Sequence, residues 1–214
     1  MHYNTSLPTI FGVKHYAGPL MKICQERSLN VNCRLNLVKI NWKNREAFFQ
    51  NLDKPEEKPI SYRYNFLHVS PPMSAPKFLS SLSNVSSNGF VAVNPETLQH
   101  VQYKNIFSLG DCSSAPTSKT AAAIASQNYI LTQNLLAQMN ADSNKTNIEN
   151  FPKKYDGYTS CPLVTGNNKC ILAEFDYKLQ PLETFPFSQA KERTSMFYIK
   201  KDLLPFMYWN FMLK

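Results

Sequence analysis

Two short strings in this sequence place residue types where they could do chemistry. In NIFSLGDC (105–112) a strand-like run ends in Gly110-Asp111, and in TSKTAAAIASQNYILTQNLLAQM (117–139) the period then changes to that of a helix. This order predicts the Asp111 carboxylate at the C-terminal end of a strand, beside a helix N-terminus, where open α/β sheets bind ligands. A carboxylate there accepts hydrogen bonds from sugar or ribityl hydroxyls, and the helix N–H groups favour an anion. The alanine run 121–123 lets the helix approach a flat cofactor closely. The same residues also fit a plain strand-to-helix turn in which Asp111 is local punctuation. The second string is KKYDGYTSCPLVTG (153–166). Cys161 is read between a turn and a strand, with Lys153, Lys154 and Lys169 near it in sequence. Neighbouring cations lower a thiol pKa and raise the fraction of nucleophilic thiolate. The alternative is a small buried apolar residue. His68, in HVSPPM (68–73), reads as the exit of an edge strand made rigid by Pro71 and Pro72, and no catalytic role is assigned to it.

Composition removes several classes of function. The chain has 214 residues, 43% of them hydrophobic, 18% charged and 13% aromatic. A packed core is therefore within reach and wholesale disorder is excluded. There are 6 glycines, where average usage would give about 15. None forms a G-x-G-x-x-G or P-loop string, so no phosphate-cradling loop is present in the sequence. Five cysteines (Cys24, Cys33, Cys112, Cys161 and Cys170) show no C-x-x-C and no zinc spacing, and no metal site is expected. The net charge of +8 favours anionic partners. The basic residues are scattered and form no recognition module, so nucleic acid is not expected among them. The first ten residues carry no secretory signal pattern, and no apolar run is long enough for a conventional spanning helix. Strand-like sequence starts almost at Met1 and FMYWNFMLK (206–214) ends inside an apolar segment, which reads as an incomplete protein.

The elements that must position these residues alternate. A helix is expected over 14–27 and a strand with one slip of register over 31–42. Its hairpin partner is read at 45–52 with the turn near Asn44, and a further strand at 60–69. Residues 74–90 are a Ser- and Asn-rich loop or short helix. Residues 89–112 should hold two short strands around Asn94-Pro95. The long helix should be capped at Thr117 or Ser118, with Ile124, Leu131, Leu135 and Met139 on one face. A polar linker follows at 141–150, then a strand at 171–177 after an Asn-Asn turn. Residues 195–213 are almost wholly apolar and aromatic, interrupted by Lys200, Lys201 and Asp202, with Pro205 expected to kink a helix. Trp, Tyr and Phe with flanking lysines suit an interfacial helix, a core or dimer helix being the alternative. The fold class is α/β.

A strand ending in Gly-Asp before an Ala-rich helix resembles the second flavin-contacting motif of flavoproteins with two dinucleotide-binding domains. The string GDCSSAPTSKTAAAIA (110–125), with FLHVSPPMSAP (66–76) upstream and KKYDGYTSCPLVTG downstream, resembles mitochondrial-type sulfide:quinone oxidoreductases. The similarity continues through ETLQHVQY, ILAEFDY, PLETFPF and DLLPFMYWN, along essentially the whole chain. It implies part of a Rossmann-like, FAD/NAD(P)-binding fold with a C-terminal membrane-associating helical segment. Residues 1–70 would end the second dinucleotide domain, 71–140 would return to the FAD domain, and 141–214 would supply the redox cysteine and the membrane contact. Asp111 and Lys119 would contact FAD. Cys161 would carry a persulfide, formed when sulfide attacks a disulfide by thiol–disulfide exchange. The partner cysteine and the Gly-rich FAD loop would lie upstream of Met1. None of Cys24, Cys33, Cys112 or Cys170 matches the partner's context, and all four read as packed residues. The resemblance implies oxidation of hydrogen sulfide, electrons passed through FAD to ubiquinone, and sulfur passed to a small thiol or sulfite. It also implies a peripheral place on the mitochondrial inner membrane, and a chain inactive by itself. Two rivals stand beside it: a non-catalytic membrane-peripheral binding module, and a fragment of a related NADH:quinone reductase.

Overall fold

Residues 1–81 and 88–213 are described by a computed structural model, and the middle of the Ser- and Asn-rich stretch, 82–87, lies outside the described residues. The chain divides into two units, Met1–Pro72 and Met73–Lys214.

In the first unit, β1 (His2–Asn4), α1 (Lys14–Glu26) and β2 (Asn30–Asn32) form a β-α-β crossover with the two strands parallel. Helix α1 buries Tyr16, Ala17 and Cys24, and Ser28, at φ +53°, turns the chain out of it. A second, antiparallel sheet has the order β3 (Leu35–Asn41), β4 (Glu46–Asn51), β5 (Ile60–Arg63). The segment read as one strand over 31–42 is thus two strands in separate sheets. Arg34 adopts φ +59°, which breaks the extended run, and a bulge between Leu37 and Lys39 supplies the expected slip of register. The turn at Asn44 is present, with the Asn44 N–H donating to the Asn41 side chain. Strand β5 stops at Arg63 instead of running to Val69. Leu35, Ala47 and Phe49 form the core, covered by Leu37, Tyr62, Tyr64 and Leu67.

The second unit begins with a 3-10 turn at Lys77–Ser81. Residues 89–112 do not form two strands. They are held by single bridges, Val91 to Ser113, Val93 to His100 and Gln99 to Phe107, around a loop that Asn94 organises by accepting the N–H groups of Glu96 and Thr97. Leu98, fully buried at φ +64°, packs there with Leu79, Val91, Val93, Ala115 and Tyr155. Helix α2 runs Ala121–Ser143, and its cap is Thr120, whose hydroxyl accepts the Ala123 N–H at 3.1 Å. The helix therefore consumes the start of the expected linker. Of the residues read on one face, Ile124, Leu131 and Leu135 are half-buried, and Leu131 packs against the Leu98 cluster. Ala123, Gln127, Asn134, Gln138 and Ala141 are inside, while Met139 is exposed.

Strands β6 (Thr159–Gly166) and β7 (Lys169–Phe175) form an antiparallel hairpin. Asn167 and Asn168, at φ +52° and +55°, make its two-residue turn, the geometry that matches strand twist and that Asn tolerates. After β7 the chain loops back, and Arg193 bridges Cys170 before the C-terminal helical segment. That segment is α3 (Thr194–Tyr198), a π-type turn (Ile199–Leu203), α4 (Leu204–Met207) and a second π-type turn (Tyr208–Met212). Widened turns on either side of Pro205 absorb its missing N–H and keep the segment helical. No helix among the described residues is long and apolar enough to cross a membrane.

Candidate functional site

A cavity of about 960 Å³ opens in the second unit between the first turns of α2, the β6–β7 hairpin and the C-terminal helical segment. One wall is Thr120, Ala121, Ala122, Ala125 and Ser126. The hairpin contributes Tyr158, Ser160, Cys161, Pro162, Leu172 and Glu174, and the C-terminal segment closes it with largely apolar side chains, Trp209 among them. The small side chains of α2 leave a flat wall. Its capped N-terminus keeps the helix ordered up to the cavity edge.

Cys161 lines this cavity, half-buried and with a free thiol. It lies inside β6, opposite Ala173 of β7, and not between a turn and a strand. The sequence-near cations do not tune it. Lys154 pairs with Glu96 at 2.9 Å, Lys169 with Glu192 at 3.3 Å, and Lys153 stands over the Tyr129 ring. The cation facing Cys161 is Lys200, which reaches across from the C-terminal segment and donates to the Pro162 carbonyl at 2.7 Å. Burial pushes the Cys161 thiol up from its ordinary range, and Lys200 pulls it partly back. The sequence could show Lys200 but not that the chain folds back over the hairpin.

Asp111 and Lys119 fall outside the cavity lining. Asp111 is exposed in a 3-10 turn, Gly110–Cys112, directly before the loop that leads to α2. Gly110 has φ +67°, and a Cβ there would come within 3.1 Å of Ile124 on α2. Its N–H donates to Gln127 at 2.8 Å. The Gly-Asp turn is thus clamped onto the helix, with the carboxylate turned outward. Lys119 folds back over the same loop. It donates to the carbonyls of Ser113 and Ala115 and lies over the Phe90 ring. Burial lowers its pKa, while the Asp111 and Cys112 charges oppose that. His68, in the first unit, is exposed and lies 3.3 Å from the Ser70 hydroxyl. Cys24 and Cys170 are buried, and Cys33 and Cys112 are half-buried.

Glu174 is a residue that motif reading passed over. It is a buried carboxylate in the cavity wall, accepting hydrogen bonds from Tyr158 at 2.6 Å, from Gln189 at 2.8 Å and from both the N–H and the hydroxyl of Thr184. The only signal for it was an acidic residue in the otherwise apolar ILAEF, where an unpaired charge would be costly.

No family model matches the chain. It is 53% identical over 212 residues to the mitochondrial sulfide:quinone oxidoreductase of Mus musculus, covering 99% of this chain and 45% of that protein. With the protein of the same name from Dictyostelium discoideum it shares 42% identity over 216 residues, and with that from Schizosaccharomyces pombe 39% over 218. The chain is a homologue of the mitochondrial sulfide:quinone oxidoreductases. It spans about 45% of the length of these relatives, a span consistent with their C-terminal half. Among solved structures, a chain in the cryo-EM structure of the Tetrahymena thermophila mitochondrial ATP synthase F1Fo tetramer aligns with a TM-score of 0.77. The alignment covers 97% of this chain and 49% of that one at 21% identity, a likeness of fold alone.

Proposed function

We propose that this chain is the cysteine-bearing part of a sulfide:quinone oxidoreductase and that the cavity beside Cys161 is its reaction chamber. The observation that carries the reading is the half-buried Cys161 thiol in the wall of a largely apolar cavity, with a lysine from a distant segment facing it. In this reading Cys161 is one sulfur of a disulfide whose other sulfur lies outside residues 1–214. Hydrosulfide attacks the Cys161 sulfur, a new S–S bond forms there, and the partner sulfur leaves as a thiolate. Cys161 then holds the persulfide until a small thiol or sulfite removes its outer sulfur. The Lys200 charge stabilises the anionic sulfur species at this position.

The residues present fit a flavin ring. Ala121, Ala122 and Ala125 form a wall without bulk, and the turned-out Asp111 carboxylate stands one short loop before them. Asp111 would accept hydrogen bonds from ribityl hydroxyls. Lys119 would hold the Ser113–Ala115 backbone in place for the same contact. When bound, FAD supplies two-electron transfer from the sulfur centre to a quinone. The exposed aromatic face of the C-terminal segment would rest on the mitochondrial inner membrane and give ubiquinone an entrance to the cavity, helped by the net positive charge on an anionic surface.

The test is reconstitution. Residues 1–214 with FAD and a soluble quinone are expected to show no sulfide-dependent quinone reduction. A chimera joining the N-terminal part of the Mus musculus relative to this chain should show it, and Cys161→Ser in the chimera should reduce it to background. Undiminished sulfide turnover in the Ser variant overturns the reading. NADH-dependent turnover that ignores the substitution would favour the NADH:quinone reductase, and vesicle binding without flavin uptake would favour the membrane module.

A further inference from the structure

One end of the β3–β4–β5 sheet in the first unit carries a polar pocket of about 350 Å³. Asn44 and Arg45 line it from the β3–β4 turn, and Arg63, Tyr64 and Asn65 line it from the chain leaving β5. The strand register explains why they meet. Glu46, which starts β4, pairs with Arg63, which ends β5, and the Tyr64 N–H donates to the Arg45 carbonyl at 2.9 Å. Both arginines therefore fall at the same end of the sheet.

Every lining side chain carries a hydrogen-bond donor, and two of them are guanidiniums. On the segments 42–46 and 63–66 the one carboxylate is Glu46. It meets Arg63 at 3.7 Å, and the Arg63 side chain stays 83% exposed. Arg45 has no carboxylate partner among the described residues. One carboxylate cannot neutralise two guanidiniums, so the pocket keeps a surplus of positive charge. Guanidinium forks beside amide N–H groups match the oxygens of a phosphate.

An aromatic residue stands next to the pocket on each segment. Trp42 opens the turn and is 73% exposed, and Phe66 follows Asn65 and is 84% exposed. Lys43 lies over the Trp42 ring at 5.7 Å. A small anion in water would use the guanidiniums and leave Trp42 and Phe66 without an apolar partner. Exposed aromatics beside cations suit the boundary of a lipid layer, where rings enter the headgroup region and the cations meet its phosphates.

We infer that this end of the first unit is a lipid headgroup site, in which Arg45 and Arg63 hold the phosphate of an anionic phospholipid while Trp42 and Phe66 enter the lipid boundary. The inference rests on neither the cavity at Cys161 nor the C-terminal segment.

The test reads Trp42 in the full 214-residue chain. The sequence has two tryptophans, so Trp209→Phe leaves Trp42 as the sole indole. Phosphatidylcholine vesicles that contain phosphatidylglycerol should shift its emission to the blue, and vesicles of phosphatidylcholine alone should not. Arg45→Gln with Arg63→Gln should abolish the shift and lower partitioning onto the anionic vesicles about thirtyfold, the worth of two cations at a lipid surface. Lys58→Gln with Lys178→Gln removes the same net charge from two exposed loops and should keep the shift. Sedimentation with anionic vesicles while the Trp42 emission stays in place overturns the proposal, because the chain then binds through another surface. So does a loss in the arginine variant no larger than in the lysine control, which would make the effect one of net charge. Inorganic phosphate or a DNA duplex that moves the emission as far as the vesicles do would mark a site for a soluble anion and overturn the lipid assignment. Both arginines are exposed, so thermal melts of the variants should match the parent. If they do not, the emission of the Trp209→Phe parent decides alone.

Discussion

Helix α2 and the C-terminal helical segment invert the usual relation between side-chain polarity and burial. Helix α2 buries Gln127, Asn134 and Gln138 and exposes Tyr129, Leu136 and Met139. The C-terminal segment leaves Phe206, Trp209, Phe211 and Leu213 more than half exposed. The two inversions have different causes. The buried amides of α2 face irregular chain, whose backbone groups must find partners. Gln127 accepts from Gly110, Asn134 donates to the carbonyls of Thr97 and Lys153 and accepts the Lys153 N–H, and Gln138 accepts from Gln99. In α2 the polar stripe packs beside Ile130 and Leu131, which sit half-buried on the Leu98 cluster. On the C-terminal segment these apolar side chains stand mostly exposed among the described residues, and a contiguous patch of that kind marks an interaction surface.

The largest effect should come from breaking the α2 stripe. Asn134→Leu, which a reading by hydropathy would call an improvement, strands three backbone groups and should cost about 3 kcal/mol or more. Met139→Asn on the exposed side should stay within about 0.5 kcal/mol. Denaturant midpoints of the two variants check this. A neutral Asn134→Leu would show that the amides do not hold the loops.

The same contrast explains what the sequence made legible. Helix α1, the Asn44 turn and the Asn167-Asn168 hairpin were readable because caps, turns and periodicity are local. The α2 face was legible in part: Ile124, Leu131 and Leu135 are half-buried as an apolar stripe suggests, but periodicity gives no sign of the amides Gln127, Asn134 and Gln138 buried beside them. The first-unit strand over 31–42 was misread because a positive φ at Arg34 carries no side-chain signature. At the site, Cys161 and the Gly110-Asp111 turn were visible as residue types. Lys200 and Glu174 were not visible as partners, because their roles come from chain segments that meet only in three dimensions.

An intermediate effect should sharpen the other half of the comparison. If the exposed aromatic stripe rests on lipid, replacing Trp209 and Phe211 together with Ser should lower partitioning onto anionic vesicles by roughly a hundredfold, the worth of two partly buried aromatics. The fold should be spared, since neither side chain supports the core. Replacing Lys200 and Lys201 should reduce binding less, and only at low salt. Sedimentation with vesicles measures both. Unchanged partitioning in the aromatic variant would assign the stripe to a protein partner.

The smallest effect compares two thiols on one hairpin. Cys161 and Cys170 are both pushed up by burial and both pulled back by Lys200. Cys161 lines the cavity while Cys170 is fully enclosed. Iodoacetamide should therefore label Cys161 and spare Cys170 in the folded chain. The labelling rate should rise with pH to a midpoint above the ordinary thiol value. Lys200→Met removes the charge that opposes burial, so the midpoint should move higher and the rate at pH 8 should fall as the thiolate fraction drops. Folding responds in the same sense. A thiol pKa raised in the folded state contributes stability that is full below the unfolded value and is lost as pH rises through the folded one. A Cys161 midpoint that stays in place after Lys200→Met would show that the lysine only ties the C-terminal segment to the Pro162 carbonyl and does not tune the sulfur.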